Sequence, residues 1–482
     1  LSKGYPAGRF RPAYIAFVCY AATTLIFSPN TSVFRSLGNG AFMGYFFFPM
    51  FVAALLVSCI STVLARNGHM SGCLPLKAGI PLALIYIVST ISFAFFSYSP
   101  EYQPILVAVM GSLCGACQVP VCLQWAHRFT WLDYRNAILC SALLCIGSSV
   151  LCLFFNLLPE FARTVCYVVC VVVGALTPFI LKPDPEDVEA SSQEPDDASS
   201  KTLDLMSTLR MPALGLLLYA FMMSINKYLA FNLFDSEYAG GCIAALCIIP
   251  LFLIRSDKPL SAMVYRIIAP VIGGIVIVLS SFPAESGFHG VALFCVYVFL
   301  SALAILALAG IIAVMNAGEF SVAHVVSISV ALGSAVSLAG LVWSKYFSGL
   351  DDFTPIIFVM ISLYCAIMLV SLGRESWHLM NLSIDERRVS VPDTNAESSS
   401  DDASEQATHT GAWNNRIAQA NLTAREQEIL AYLGRGHSMT YIAETLFISE
   451  STVRTHVKHI YAKLDIHSRE ELFALIDQNN AS

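Results

Sequence analysis

For most of this chain apolar residues run on in stretches of about twenty, and polar residues collect in the gaps between them. A helix of that length crosses roughly 30 Å of hydrocarbon, so each stretch reads as a membrane span. The pattern predicts two sets of six. The first is about 12–29, 41–64, 78–98, 104–126, 137–158 and 164–181; the second is about 211–232, 238–254, 264–282, 290–314, 321–347 and 354–372. Residues 1–181 and 211–372 are thus two membrane halves. Residues 182–210, which open Lys182-Pro-Asp-Pro-Glu-Asp187, are too polar and acidic to bury a core and read as a linker. Residues 373–420, with Ser398-Ser-Ser-Asp-Asp402 among them, read as a disordered tether. About 45 flexible residues would span on the order of 35–40 Å.

The pattern changes at residue 421, where short amphipathic segments replace long apolar ones. Thr423 and Glu426 form a capping-box pair that starts one helix, which Gly434 and Gly436 end. Ser438 is placed to cap a second, holding Ile442, Ala443 and Leu446. Ser449 precedes a third, whose Val453, Val457, Ile460, Tyr461 and Leu464 share one face. Ser468 and Glu471 open a fourth, with Leu472, Phe473, Leu475 and Ile476. The fold class expected is therefore all-α: a polytopic membrane bundle of about twelve helices, six plus six, followed by a four-helix domain at 421–482.

Composition sharpens this. Hydrophobic residues are 56% and charged residues 13%, about half the charged share of soluble domains. Of the 27 Lys and Arg, only Arg35, Arg163, Lys227 and Lys345 fall in outside segments if the N-terminus is cytoplasmic, while sixteen fall in inside segments up to Arg388. That bias is the direction of the positive-inside rule, and an even helix count returns the C-terminus to the cytoplasm. The expected location is the inner (cytoplasmic) membrane, multi-pass, both termini inside. No small-residue cleavage site follows the first apolar run, so no cleavable leader is expected. The 15 cysteines sit mostly inside apolar runs and read as small packing residues; Cys114 and Cys117 have a metal-like spacing without a second pair.

The order of pieces in the tail, Leu422-Thr-Ala-Arg-Glu-Gln-Glu-Ile-Leu430, Ile442-Ala-Glu-Thr-Leu446 and Ser449-Glu-Ser-Thr-Val-Arg-Thr-His-Val-Lys458, resembles the LuxR/FixJ-type helix-turn-helix of bacterial transcription regulators. The third helix is the recognition candidate, because Arg454, Thr455, Lys458 and His459 lie opposite its apolar face. The resemblance implies double-stranded DNA as partner. Positions matching Arg454, Thr455 and Lys458 would make base or groove contacts, and those matching Thr452, His456 and Lys463 would hold the backbone or support the fold. It also implies a homodimer on DNA and contact with RNA polymerase. A charged stripe is ordinarily a solvated face, and residues 421–482 carry six Lys/Arg against eight Asp/Glu. The cations nonetheless concentrate on the third helix, where Glu450 is the only acid before Asp465. One departure is Met439-Thr440-Tyr441 where the family often has Asn-Lys-Glu, so a common phosphate-contacting Lys is absent. Pairing through Leu472, Phe473 and Leu475 would compensate.

Six plus six spans around a cytoplasmic loop also resemble the major facilitator architecture. The resemblance covers helix count and loop placement; the loop Ala65-Arg66-Asn67-Gly68-His69 matches that family's basic motif poorly, so the fold is carried over and the transport activity is not. Polar groups within apolar spans are costly unless used, which makes Gln118, Trp125, Asn226, Lys227 and Asn316 candidate ligand-site residues, with Glu319 near a helix end. Gln118 and Asn226 also fit as interhelical glue, and Lys227 as a snorkelling side chain. No paired carboxylates, nucleophile elbow or metal cluster stands out; His456 and His459 lack partner ligands. Neither enzymatic activity, cofactor nor metal is expected. The function expected is a membrane-anchored one-component transcriptional regulator that senses a small-molecule or membrane signal through the bundle. The alternatives are a facilitator-like solute transporter carrying a regulatory tail, and passive tethering without a ligand.

Overall fold

The computed structural model describes residues 12–24, 43–67, 74–95, 103–132, 134–181, 213–224, 234–253, 287–317, 320–346 and, apart from 438, 447, 449 and 465, residues 422–466, with scattered positions elsewhere. The chain forms two units, Leu1–Met368 and Leu369–Ser482.

The described secondary-structure elements of the first unit are all helices. Its first set comprises α1 (Pro12–Thr23), α2 (Met43–Arg66), α3 (Leu76–Phe95), α4 (Pro104–Ala126), α5 (Tyr134–Leu157) and α6 (Glu160–Ile180). Its second comprises α7 (Ala213–Ser224), α8 (Phe234–Leu253), α9 (Gly287–Asn316) and α10 (Val322–Tyr346). Apart from buried backbone, only a helix lets such apolar runs satisfy every N–H and C=O within one segment, which is what hydrocarbon demands. Among the described residues, seven helices are long and apolar enough to cross a membrane; α1, α7 and the apolar part of α8 are shorter. The expected spans at 264–282 and 354–372 fall largely outside the described residues, as do the linker and nearly all of the tether.

The outward faces bear this reading. Leu56, Ile60, Val63, Val88, Ile105 and Phe161 are all exposed on the bundle surface. In water such a surface would be a single large apolar patch; in lipid it is simply solvated. Several hydroxyls within the spans return to their own helix, as Thr62 Oγ1 donates to Ser58 O at 2.8 Å and Ser112 Oγ to Ala108 O at 2.9 Å.

Small residues set the closest helix crossings. A Cβ on Gly111 or Gly115 would collide with the carbonyl oxygens of Phe46 and Met50. This Gly-x-x-x-Gly pair therefore lets α4 lie backbone-to-backbone against α2. Across the two sets, α2 packs on α10 and α5 packs on α8 and α9. In the order of spans read from the sequence, the second of one set meets the fifth of the other, and the fifth meets the second. That reciprocity is what two similarly built halves facing each other produce.

The second unit contains α11 (Ala424–Gly434), α12 (Met439–Leu446) and α13 (Glu450–Leu464), which pack on one another. Its core is Ile429, Leu433, Ile442, Leu446, Val453, Val457 and Ile460. Gly436, with φ of 82°, occupies the left-handed region that a side-chain residue avoids, and reverses the chain between α11 and α12. Of the expected fourth helix only Glu471 and Leu472 are described, both helical. The caps Ser438, Ser449 and Ser468 lie outside the described residues.

Candidate nucleic-acid interface and membrane cavity

The start of α11 is locked from both sides. Glu426 N–H donates to Thr423 Oγ1 at 3.3 Å, and Thr423 N–H donates back to Glu426 Oε2 at 2.8 Å, completing the capping box. Lys463 Nζ, at the end of α13, donates to the same carboxylate oxygen at 2.6 Å. Burial alone would raise the Glu426 pKa, but the bonds from Lys463 and Thr423 prevail and hold it below the usual glutamate value. One buried carboxylate thus ties the first helix of the unit to the third. Arg425 provides a second tie: its Nη2 donates to Leu446 O at 2.9 Å, at the C-terminal end of α12, and its Nη1 to Glu428 Oε2 at 2.8 Å. His437 and Tyr441 stack at 4.1 Å beside Tyr432, closing the α11–α12 corner. The carbonyl of Ala443 accepts from Ile448 N–H at 3.1 Å as the chain turns toward α13.

These ties hold α13 with Val453, Val457, Ile460 and Leu464 in the core and Arg454, Thr455, Lys458 and His459 exposed. Thr452 and His456, at the border, are half-buried, and Tyr461 is half-buried rather than in the core as its spacing suggested. An exposed cationic strip on a helix of ordinary diameter has the shape and chemistry to enter a major groove, with Arg or Lys on guanine O6 and N7. Lys463 differs from these residues in that its ammonium is engaged by Glu426. The expected pairing surface needs one correction. Leu472 is fully buried within the single chain, so it has no surface to offer a second copy. Phe473 and Leu475 lie outside the described residues.

In the membrane unit a cavity of about 270 Å³ opens between the two sets of helices. Residues from α1, α4 and α5 line it on one side and residues from α7, α8, α9 and α10 on the other. Trp125, one of the candidates, forms part of its wall, with its Nε1–H donating to Gly174 O at 2.9 Å. Gln118 is fully buried and does not line the cavity; its Nε2 donates to Thr24, which does. Asn316 is elsewhere, at the exposed end of α9, where its Nδ2 donates to Thr130 O at 2.8 Å. That bond joins the end of α9 to the turn after α4. Asn226, Lys227 and Glu319 lie outside the described residues. The remaining cavity residues, Phe17, Tyr20 and Ser141 among them, carried no signal in the sequence, because aromatic and hydroxyl residues are scattered through every span.

Residues 420–476 match the luxR family of bacterial regulatory proteins. Over 73 residues the chain is 40% identical to the CsgBAC operon transcriptional regulatory protein of Escherichia coli and to the probable csgAB operon transcriptional regulatory protein of Salmonella typhimurium. The aligned part is 15% of this chain and 34% of each relative, so the chain spans about a third of the length of the curated relatives it matches. The structure is also similar to the human organic anion transporter MFSD10 (TETRAN), at a TM-score of 0.47 and 15% identity over 74% of this chain and 96% of that one. A likeness that loose carries nothing about transport. The C-terminal segment of this polytopic helical membrane protein is a LuxR-type helix-turn-helix domain.

Proposed function

We propose that the chain is a one-component transcriptional regulator of the inner membrane, in which the bundle receives a signal and α13 reads promoter DNA on the cytoplasmic side. The observation that carries this is the division of α13: four aliphatic residues hold it in the core while Arg454, Thr455, Lys458 and His459 stand exposed on a segment matching a family of DNA-binding regulators. Arg454 and Lys458 are assigned the leading groove contacts. Thr455 is assigned a methyl or hydroxyl contact, and Thr452 and His456 support at the rim. Lys463 acts indirectly, through Glu426.

The cavity supports the sensing half of the reading. A ligand seated there touches both sets of helices, so its affinity depends on how the sets are arranged. Only such unequal affinity can shift an equilibrium between two arrangements. Its described lining contains no Asp, Glu, Lys, Arg or His, so no carboxylate, amine or imidazole is there to couple solute movement to protons, which counts against the transporter reading.

Chromatin immunoprecipitation with the full-length chain tests the assignment. Substituting Arg454→Ala with Lys458→Ala is expected to abolish promoter occupancy while the protein remains in the membrane fraction. Occupancy equal to wild type would remove α13 as the recognition helix.

A further inference from the structure

The cavity's lining is unevenly distributed. On the side of the first set, Phe17, Tyr20, Trp125 and Phe129 form an aromatic corner. Phe17 is its hub, edge-on to Trp125 with centroids 5.1 Å apart and to Phe129 at 4.8 Å. On the side of the second set, α9 presents Ile305, Leu308, Ile311, Ile312 and Met315, an aliphatic plate, with Tyr219 of α7 and Tyr238 of α8 beside it. A slot between ring edges and an aliphatic plate fits a flat, weakly polar body. At about 270 Å³ it lies just below the usual range for drug-sized ligands, which means one or two fused rings.

Polar lining is sparse and uncharged. Ser329 Oγ donates to its own helix, to Val325 O at 2.8 Å, and Ser148 Oγ to Cys145 O at 3.1 Å, so both have spent their proton locally. Ser141 differs. It lines the cavity, is 2% exposed, and its Oγ has no hydrogen-bond partner among the described residues. An unsatisfied buried hydroxyl is costly, and a ligand donor or acceptor would relieve it. No described lining side chain offers a counter-charge, so an ionised ligand would lose its hydration without compensation.

We infer that the cavity between the two helix sets is a binding site for a small uncharged aromatic molecule, held by the Phe17–Trp125 corner and by one hydrogen bond to Ser141. This rests on the bundle's being the sensor, and names the class of signal it takes. The site admits a neutral ring and excludes the same ring once it carries a carboxylate or an ammonium.

Indole, 1-methylindole, indole-3-carboxylate and tryptamine are the probes: one ring system, uncharged with and without an N–H, anionic and cationic. Binding is measured by titration calorimetry on the full chain in nanodiscs, with empty nanodiscs subtracted. Saturable indole binding is expected, with the two charged probes weaker by at least about tenfold. Indole should exceed 1-methylindole by roughly fivefold, the worth of one hydrogen bond, and Ser141→Ala should erase that ratio. Leu308→Trp should remove indole binding by filling the slot. Ala304→Phe does the same from the next turn, and a thermal melt within a few degrees of wild type identifies which filled variant is folded. Charged probes binding as well as indole would overturn the inference. So would indole uptake that survives in a folded filled variant, which would mark partition into lipid. Because no DNA is present, a positive result accompanied by promoter occupancy indifferent to indole would leave this site standing and remove the sensing role instead.

Discussion

Glu426 shows how much one side chain can hold. Its carboxylate accepts from Thr423 N–H, Thr423 Oγ1 and Lys463 Nζ, joining a helix start to the end of α13. Its pKa is depressed in the folded state, so its stabilising contribution is complete above the unfolded value of about 4.3 and is lost as pH falls through the folded value. Urea melts of a fragment covering residues 369–482 should therefore show stability falling as pH drops below about 5, with a shallower fall in Glu426→Gln. At neutral pH the same substitution is expected to cost about 1–3 kcal/mol, since it leaves a charged hydrogen bond unmade. Thr423→Ala should cost about 1 kcal/mol by removing the cap. The capping box was legible in the spacing of Thr423 and Glu426. The Lys463 contact was not, because it spans 37 residues and depends on how α11 crosses α13.

At the scale of elements, the length of the apolar runs separated the two kinds of helix. Apart from α6, which has one more polar side, the long spans are apolar all round because they face lipid outward and other helices inward, whereas α13 is apolar on one side only because solvent meets the other. Which faces meet inside the bundle was not legible, since periodicity is silent in a helix without a polar side. Gly111 and Gly115 are an exception, as their four-residue spacing is visible in the chain and their contact with the α2 backbone is its consequence. Gly115→Ala is expected to lower the thermal midpoint of the bundle in nanodiscs by an overpacking cost of about 1–3 kcal/mol. Here the obstacle is the Met50 carbonyl, which cannot turn aside as a side chain would. A change at Gly333, where nothing lies within 4 Å of an added Cβ, serves as the control and should leave the midpoint unmoved.

Across the whole molecule, two units of opposite chemistry share one chain: a bundle that lipid solvates and a small water-facing domain proposed to meet DNA. Their existence and order were plain in the distribution of charge. The cavity was hidden, because it is made by residues from helices far apart in the chain, none of which is unusual alone. Every step of the proposed function depends on the side of the membrane on which the C-terminal domain lies. The most direct measurement places an epitope tag after Ser482 and compares antibody access in intact and permeabilised cells. The result expected is labelling only after permeabilisation; labelling of intact cells would put the domain outside, away from DNA, and contradict the account.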